Sequence, residues 1–517
     1  MGDLGAGGGQ GLVVEGTLPA RCSPGSVALL QLLPREGKTT TEGAGQTASL
    51  RLGSRAGRRL VAASVLGSGA VFLEGTVVNV ALPSLERDFG LGMTGLQWVL
   101  NGYLLALSAL MLLGGSLGDA FGRRRVFVVG ALAFAAATAL CALAPGPAWL
   151  IVGRVAQGCG GALLVPNSLA MLEVMFREED RSAAIGQWAG WSGASTALGP
   201  FLGGWLVDAL SWRWVFLAIA PVAVAAAVVG RGGHAARAPA APADASRRPR
   251  RVDYSGAALV SLGLAGLTAA LVEGARIGFG PPAVTSAGVG GLALLGAFLL
   301  LERRARDPLL PLTIFRSRQF TGANLATLLV YAALSGVLFL LMLQLQDVLG
   351  YSALLSGCAL LPVNVLLLLL STPAGRWAHR IGARLPISLG ALTAGIGVAL
   401  LARVQPGASY LGTLLPALVV FGLGLGTMVA PLTAAVLAAA PQAEAGLASA
   451  VNNAVARLAG LLAIAVLPLA TGLGGLRSLA GSAFSAGFVR AMWICATLCA
   501  AGACIAFLTV GPPARPR

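Results

Sequence analysis

The chain has 517 residues, of which 56% are hydrophobic and 11% charged, and its mean hydropathy is +0.81. This composition lies outside the range of soluble globular proteins and predicts an integral membrane protein. The formal net charge is +16. However, the Lys and Arg residues occur in short runs between apolar stretches, and not on one solvated surface beside aromatic residues, so no nucleic-acid partner is expected.

Fourteen apolar stretches are long enough to cross a hydrocarbon core of about 30 Å. They centre near residues 71, 107, 134, 160, 194, 221, 263, 292, 332, 361, 393, 421, 457 and 499. Lipid offers the backbone no hydrogen-bond partners, and the short alternating strands of a barrel are missing from the sequence. All fourteen stretches are therefore predicted to be helices in a lipid bilayer.

The distribution of basic residues predicts which side of the membrane holds the termini. Of the 36 Lys and Arg residues, 28 lie in the tail before Leu60, in the loops that follow even-numbered spans, and after the last span. Because basic residues mark the cytoplasmic side of a membrane protein, both termini are predicted to be cytoplasmic.

Residues 1–59 are rich in Gly, Thr and Arg and are predicted to form a disordered cytoplasmic tail. Within them, Lys38 stands at the end of "LPREGKTT", which resembles a phosphate-binding loop. That motif requires a glycine where Leu32 stands, so ATP is not expected as the energy source. Neither histidine lies in a predicted span, and the cysteines show no paired extracellular spacing, so no cofactor or metal site is predicted.

The loop after the second span has a degenerate second copy about 260 residues later, because "GGSLGDAFGRRRVF" is followed by "GRWAHRIGARL". The second copy keeps two glycines and one arginine and replaces the acid, so that Gly115, Gly122, Arg124 and Asp119 correspond to Gly375, Gly382, Arg384 and His379. Transporters are commonly built from such repeats. The offset predicts two halves of six spans with two further spans inserted between them.

The predicted organisation divides the chain into segments in this order: tail 1–59, first six-helix bundle 60–230, cytoplasmic linker 231–252, two inserted helices 253–302, second six-helix bundle 303–510 and cytoplasmic tail 511–517. The linker assignment rests on the richness of its sequence in Arg, Pro and Ala.

Four motifs resemble those of the major facilitator superfamily, and within it the fourteen-span drug:proton antiporters. They are "LEGTVVNVALP" in span 1, "GSLGDAFGRRR" after span 2, "LIVGRVAQGCGGAL" in span 4, and "GASTALGPFLGGWL" in span 5, which "WRWVF" follows. The resemblance covers about residues 60–510. It implies an all-α integral membrane protein with the major facilitator superfamily fold and fourteen transmembrane helices, arranged as two six-helix bundles plus two inserted helices.

The first span carries a carboxylate, Glu74, where members of this family usually carry Asp. At 1.5 Å per residue, Glu74 lies about 13 Å and Arg154 about 9 Å from the outer ends of their spans, so their depths are close. An ionisable residue within a membrane helix normally has a partner, and proton uptake by Glu74 can depend on whether Arg154 is engaged. These residues are predicted to couple transport to protons. The alternative is a fixed structural pair, or a Glu74 side chain that reaches the membrane surface.

The resemblance implies roles for two further motifs. The loop after span 2 acts in the family as a cytoplasmic latch, which implicates Gly115, Asp119, Gly122 and Arg123 in gating. A basic run at this place is also what membrane topology alone requires. The span 5 motif marks exporters that work as antiporters and implicates Gly193, Gly199, Pro200, Gly203 and Gly204. Helix packing is the alternative role of these small residues.

Four polar or aromatic residues complete the predicted site. Besides Glu74, substrate contacts are expected at Asn79, Trp98 and Tyr103, with helix packing as the alternative for each. Arg457, in the middle of span 13, is interpreted as a structural charge within the membrane. No residue is expected to catalyse a reaction, and the chain is predicted not to be an enzyme.

These features together predict a proton-driven secondary transporter in the plasma (inner) membrane. It would use alternating access to export amphipathic, often cationic drugs, with the proton gradient and no cofactor as its energy source. A narrow exporter of a single antibiotic or metabolite is the alternative function. A receptor or channel has less support, because no selectivity-filter motif or appended soluble domain is apparent.

Overall fold

The computed structural model describes residues 50–232, 252–305, 308–440, 445–476, 479 and 481–511. Most of the predicted N-terminal tail, including Lys38, lies outside the described residues. So do residues 233–251 of the predicted linker and residues 512–517 of the predicted C-terminal tail. Only the backbone of His379 is described.

The described residues form fifteen α-helices, and each predicted span coincides with one helix or, for the tenth span, with two in succession. The helices are α1 Arg55–Phe89, α2 Gly92–Phe121, α3 Arg123–Ala142, α4 Pro147–Met175, α5 Glu178–Ala209, α6 Trp212–Arg231, α7 Tyr254–Ile277, α8 Pro282–Arg304, α9 Arg318–Leu343, α10 Ala353–Ala359, α11 Leu361–Ile381, α12 Arg384–Leu401, α13 Leu415–Ala438, α14 Ala445–Thr471 and α15 Ser482–Thr509. The fold is all-helical, as predicted.

Thirteen of these helical segments, with α10 and the greater part of α11 forming one of them, are long and apolar enough to cross a membrane. Helix α5 does not meet that criterion within the described residues. Its first turn carries Glu178, Glu179 and Asp180, and Gly, Ser and Trp residues are frequent in its middle. These residue types lower its hydropathy while allowing close contact with other helices.

Residues 50–59, which the sequence assigned to the disordered tail, belong to the fold. The backbone N–H of Leu50 donates to the carbonyl of Met175 over 2.7 Å at the end of α4. Ser54 then caps α1 by accepting a hydrogen bond from Gly57 N–H over 3.0 Å. Polar composition predicted disorder here, whereas the contact that orders the segment comes from a distant part of the chain.

Helices α1–α6 pack on one another, as do α9–α15, and we call these the first and second helix groups. Helix α7 packs on α8 and also contacts α2 and α14, one helix from each group. An apolar cavity of about 370 Å³ lies where these four helices meet. The inserted pair therefore lies against the junction of the two groups. The boundaries drawn from the sequence remain predictions.

Both copies of the predicted repeat turn at a glycine. Gly122 follows α2 with φ +95°, and Gly382 follows α11 with φ +88°. Residues other than glycine rarely adopt this region of backbone space. The matching glycines of the sequence repeat thus make matching sharp turns between consecutive helices.

Hydrogen bonds join the two groups on one side of the molecule. We call the side on which α1 ends the distal side, and the side on which α1 begins the terminal side. At the distal end of α5, the Asp208 carboxylate accepts from the N–H groups of Ala353 over 3.1 Å and Leu354 over 2.8 Å, at the start of α10. Gln97 on α2 donates to the carbonyl of Ile464 on α14 over 2.7 Å. Within the described residues, the hydrogen bonds between the groups lie in the distal half.

We expect Asp208→Ala to loosen this distal junction, because two N–H groups at the start of α10 lose their acceptor. Loss of such a cap costs about 1 kcal/mol, which changes the ratio of two conformations about fivefold. Spin labels on Leu143→Cys and Leu411→Cys, both exposed on the distal side, can report the separation of the groups after the native cysteines are replaced. The fraction of molecules in which the two spin labels are farther apart should rise.

Asp208→Asn is the comparison variant, because its amide oxygen keeps one of the two acceptors, which are Oδ1 for Ala353 and Oδ2 for Leu354, and it should give an intermediate distribution. An unchanged distance distribution in the Ala variant would show that Asp208 does not hold the junction.

Candidate functional site

Glu74 on α1 and Arg154 on α4 form an ion pair that is closed off from solvent. The side chains are 0% and 1% exposed, and Arg154 Nη1 contacts Glu74 Oε1 directly. The guanidinium also donates to Gln157 Oε1 over 2.6 Å and, through Nε, to the carbonyl of Val99 over 2.9 Å. The contact agrees with the similar depths inferred from the sequence. Its role in proton coupling remains a prediction.

Aromatic and polar side chains enclose the pair. The Tyr103 ring lies 4.4 Å from the Arg154 guanidinium carbon, and its hydroxyl donates to the carbonyl of Val71 over 3.1 Å. Gln157 donates to Thr138 Oγ1 on α3 over 2.8 Å. Hydrogen bonds and ring contacts therefore connect α1, α2, α3 and α4 around one buried charge pair.

Sequence reasoning did not identify Gln157 or Thr138. Gln157 stands three residues after Arg154, a spacing that puts two side chains on the same face of a helix. That spacing was the available signal for Gln157. For Thr138 no such signal existed, because α3 and α4 meet only in the tertiary structure.

One oxygen of the buried carboxylate is not used by the pair. Among the described residues, Glu74 Oε2 has no hydrogen-bond partner. A buried carboxylate is stable when it is paired or when it carries a proton. Glu74 thus has the environment of a group that can exchange an arginine partner for a proton.

The other predicted substrate contacts lie on different surfaces. Tyr103 is fully buried beneath Arg154. Asn79 donates to the carbonyl of Gly75, one turn earlier on α1, over 3.1 Å. Trp98, near the distal start of α2, donates to Glu273 on α7 over 3.2 Å. The structure joins Tyr103 to the ion pair and Trp98 to the inserted helices, and the substrate roles stay predictions.

The loop after α2 holds together the terminal ends of several helices. Asp119 and Arg123 form an ion pair of 2.9 Å, and Arg123 also donates to the carbonyl of Ala170 on α4 over 2.8 Å. Arg124 donates to the carbonyl of Gly230, near the end of α6, over 2.7 Å. Carbonyls in the last turns of helices carry partial negative charge, so these arginines complement the helix dipoles.

The glycines of the same motif allow the backbones to approach. Gly118 faces Asn167 on α4 so closely that a Cβ at Gly118 would overlap the amide oxygen. Gly115 lies farther off, 3.9 Å from the Pro166 Cβ when measured from the same ideal position. Together with the turn at Gly122, these glycines set the angle at which Asp119 and the arginines meet.

Two residues of the span 5 motif lie against α1. A Cβ at Gly199 would overlap Thr76 Oγ1, and one at Gly203 would lie 2.6 Å from Val77 Cγ2. Thr76 donates a hydrogen bond back to the carbonyl of Thr196 on α5 over 3.2 Å. The backbone of this stretch of α5 therefore packs directly against α1, the helix that carries Glu74.

The other face of the motif meets the second helix group. A Cβ at Gly204 would overlap the carbonyl of Ala353, and one at Gly357 would overlap the carbonyl of Pro200. At Gly193 an added Cβ would have no described heavy atom within 4 Å. Four of the five motif residues thus pack α5 between α1 and α10.

The pair can be tested for its contribution to stability. We expect Arg154→Ala to lower the free energy of unfolding by about 3–5 kcal/mol, because Glu74 loses its partner and can stay buried only as a bare charge or after it takes up a proton. The double variant Glu74→Leu with Arg154→Met should recover most of that loss, since apolar side chains of similar size can replace a buried ion pair. The unfolding temperature of the purified protein in detergent would be measured. A double variant no more stable than Arg154→Ala would contradict this account.

Comparison with known proteins agrees with the fold and with the motifs. The sequence profile of the Major Facilitator Superfamily matches residues 64–464. The chain is 40% identical over 402 residues to the puromycin resistance protein of Streptomyces alboniger, covering 77% of this chain and 78% of that protein. It is 35% identical over 445 residues to the cephamycin export protein of Amycolatopsis lactamdurans, covering 84% of this chain and 89% of that protein. It is 33% identical over 405 residues to the tetracenomycin C resistance and export protein of Streptomyces glaucescens, covering 78% of this chain and 74% of that protein.

Solved structures show the same fold at much lower identity. A peptide transporter POT aligns with a TM-score of 0.62 and 17% identity, covering 90% of this chain and 99% of that one. A D-xylose–proton symporter aligns with a TM-score of 0.59 and 15% identity, covering 88% and 98%. The superfamily comprises transporters, not enzymes, and its members need no cofactor and use ion gradients. The resemblance read from the motifs is confirmed: the chain belongs to the Major Facilitator Superfamily.

Proposed function

We propose that the protein exports amphipathic drugs in exchange for protons. The observation that carries this proposal is the enclosed Glu74–Arg154 pair, in which one carboxylate oxygen has no described hydrogen-bond partner. A buried ionisable pair in a membrane helix bundle is the arrangement expected of a proton relay. The alternative of a purely structural pair predicts stability effects without a loss of coupling.

In the proposed cycle, Glu74 alternates between Arg154 and a proton. When the ion pair opens, the carboxylate takes a proton, because a bare charge in this enclosed site is costly. Arg154 keeps its bonds to Gln157 and to the carbonyl of Val99 while its charge is no longer balanced by Glu74. The change in charge on α1 and α4 then favours a different contact between the two helix groups.

The names of the relatives support drugs as the cargo. Those reported above are named for resistance to puromycin, for resistance to and export of tetracenomycin C, and for export of cephamycin. An amphipathic cargo suits a route that passes between largely apolar helices. For a cationic drug, Glu74 is the acid that could accept its charge once the pair opens.

The basic residues support an orientation in the plasma (inner) membrane. Their excess before α1 and in the loops after even-numbered spans predicts that the terminal side is cytoplasmic. We include α5 as a fourteenth span, because it packs along α1 despite its lower hydropathy. The hydrogen bonds on the distal side then close the outer face. The conformation would be the one that receives drug from the cytoplasm.

A narrow exporter of one antibiotic is the second candidate. It is favoured by relatives that are each named for a single compound, such as puromycin or tetracenomycin C. Competition experiments separate the two functions. A multidrug exporter should show mutual inhibition among unrelated drug scaffolds, whereas a narrow exporter should respond to one scaffold alone.

Everted membrane vesicles with an established proton gradient test the proposal directly. We expect some amphipathic compounds in a panel of cationic and neutral drugs to dissipate the gradient when the protein is present. Glu74→Gln should abolish this exchange while membrane insertion and expression continue, because an amide cannot carry the proton. Glu74→Asp should retain a good part of it. Unimpaired exchange by the Gln variant would remove Glu74 as the proton carrier.

The gating role of the loop after α2 gives a separate prediction. Asp119→Asn and Arg123→Gln each break the ion pair that holds the terminal ends of α2, α3 and α4, so turnover should fall about two- to fivefold. Drug binding in detergent should stay near that of the unchanged protein. Arg125→Gln, at an exposed neighbouring position, is the matched control and should transport normally. Normal turnover in Asp119→Asn would show that the motif serves membrane topology and not gating.

A further inference from the structure

Arg457 brings a positive charge from the second helix group to the helix that carries Glu74. It lies near the middle of α14 and is half-buried. Its guanidinium carbon is 5.1 Å from the centre of the Phe72 ring on α1. Its Nη1 atom is 3.8 Å from the position that a Cβ on Gly75 would occupy, which is an ordinary contact distance. Arg457 therefore reaches from the second helix group to α1 at Phe72 and Gly75.

The charge of Arg457 is not balanced by an acid. None of the ion pairs within the described residues includes it, and the nearby carboxylate of Glu74 is already paired with Arg154. A charged side chain near the middle of a membrane helix is costly and usually has a partner. The contact with the Phe72 ring is a weak cation–π interaction and does not balance the charge as an acid would.

The surroundings of Arg457 are aromatic and polar. Phe72 presents its ring to the guanidinium. One turn beyond Gly75 on α1 stands Asn79, whose side-chain nitrogen binds the Gly75 carbonyl. A surface of this kind can bind a ring system that carries one polar group. Because the unpaired guanidinium is positively charged, that polar group is expected to be negatively charged.

We propose that Arg457 binds an acidic group on the transported molecule. The ligand class is an aromatic amphiphile that carries a carboxylate, a phenolate or an enolate beside its ring system. The planar guanidinium offers two parallel N–H donors to such a group, and the ring system packs near Phe72. This inference rests on the proposed transport function and adds a substrate class to it. Acidic drugs bind Arg457 in this proposal, whereas cationic drugs bind away from it.

The position of Arg457 also links binding to movement. The residue belongs to α14, while Phe72 and Gly75 belong to α1, so a ligand held here contacts both helix groups. A ligand shifts a conformational equilibrium only through its different affinity for the two states. If α1 and α14 separate here, the acid keeps its contact with Arg457 and loses its contacts with α1.

Matched acid and amide probes can test this assignment with the purified full chain in lipid nanodiscs. The pairs are pyrenebutyrate, naphthoate and anthraquinone carboxylate, each compared with its uncharged carboxamide at neutral pH. We expect the unchanged protein to bind the acid of at least one pair about tenfold more tightly than the amide. Arg457→Gln should bring that ratio to about one. Arg457→Lys should give an intermediate ratio, because an ammonium keeps the charge and loses the planar fork.

Two controls separate ligand binding from other roles. Arg490→Gln removes an exposed arginine near the distal side and should leave the acid-to-amide ratio unchanged. Proton exchange by the unchanged protein, measured separately in vesicles, is the second control: a preference for the acid without proton exchange would count against the proposed coupling and not against this inference. The inference is overturned if no acid is preferred by the unchanged protein. It is also overturned if Arg457→Gln weakens acid and amide equally, or leaves the preference intact.

Discussion

Opposite charges buried in a nonpolar region must stay paired, because either charge left alone would be far less stable there than in water. Glu74 and Arg154 are under this constraint, and the helices around them are arranged to satisfy it. Tyr103 covers the guanidinium, and Gln157 and Thr138 extend the polar contacts to α3. In the proposed cycle, a proton on the carboxylate removes the negative charge of the pair, and Arg154 then keeps only its hydrogen bonds to Gln157 and to the carbonyl of Val99.

Movement between two helix groups requires contacts that can form and break as units. At the distal side, the Asp208 carboxylate joins α5 to α10, and Gln97 joins α2 to α14. These contacts use hydrogen bonds and small residues, each contributing little free energy on its own. The Asp119–Arg123 pair and the hydrogen bond from Arg123 to Ala170 join α2, α3 and α4 within the first group. Alternating access, as proposed, requires contacts within a group to persist while contacts between the groups break.

The inserted helices α7 and α8 lie where the two groups meet. Helix α7 contacts both α2 and α14, and Glu273 on α7 accepts the hydrogen bond of Trp98. Trp98 thereby joins the distal start of α2 to the inserted pair, and its role in substrate contact stays a prediction. Arg457, interpreted from the sequence as a structural charge, contacts α1 at Phe72 and Gly75. Tertiary packing decided which helix each of these side chains reaches.

The sequence by itself determined the helical class, the family and the approximate places of the helices, because apolar length and glycine-rich motifs are local properties of the chain. It did not show that α10 and α11 divide the tenth predicted span, or that α1 begins at Arg55. It also indicated similar depths for Glu74 and Arg154, since depth follows from the rise per residue in a helix. The tertiary structure decided which side chains enclose that pair, that residues 50–59 are ordered, and that Arg457 reaches α1. Those outcomes depend on the rotation of each helix about its axis and on its neighbours. Both are set by packing between residues far apart in the chain.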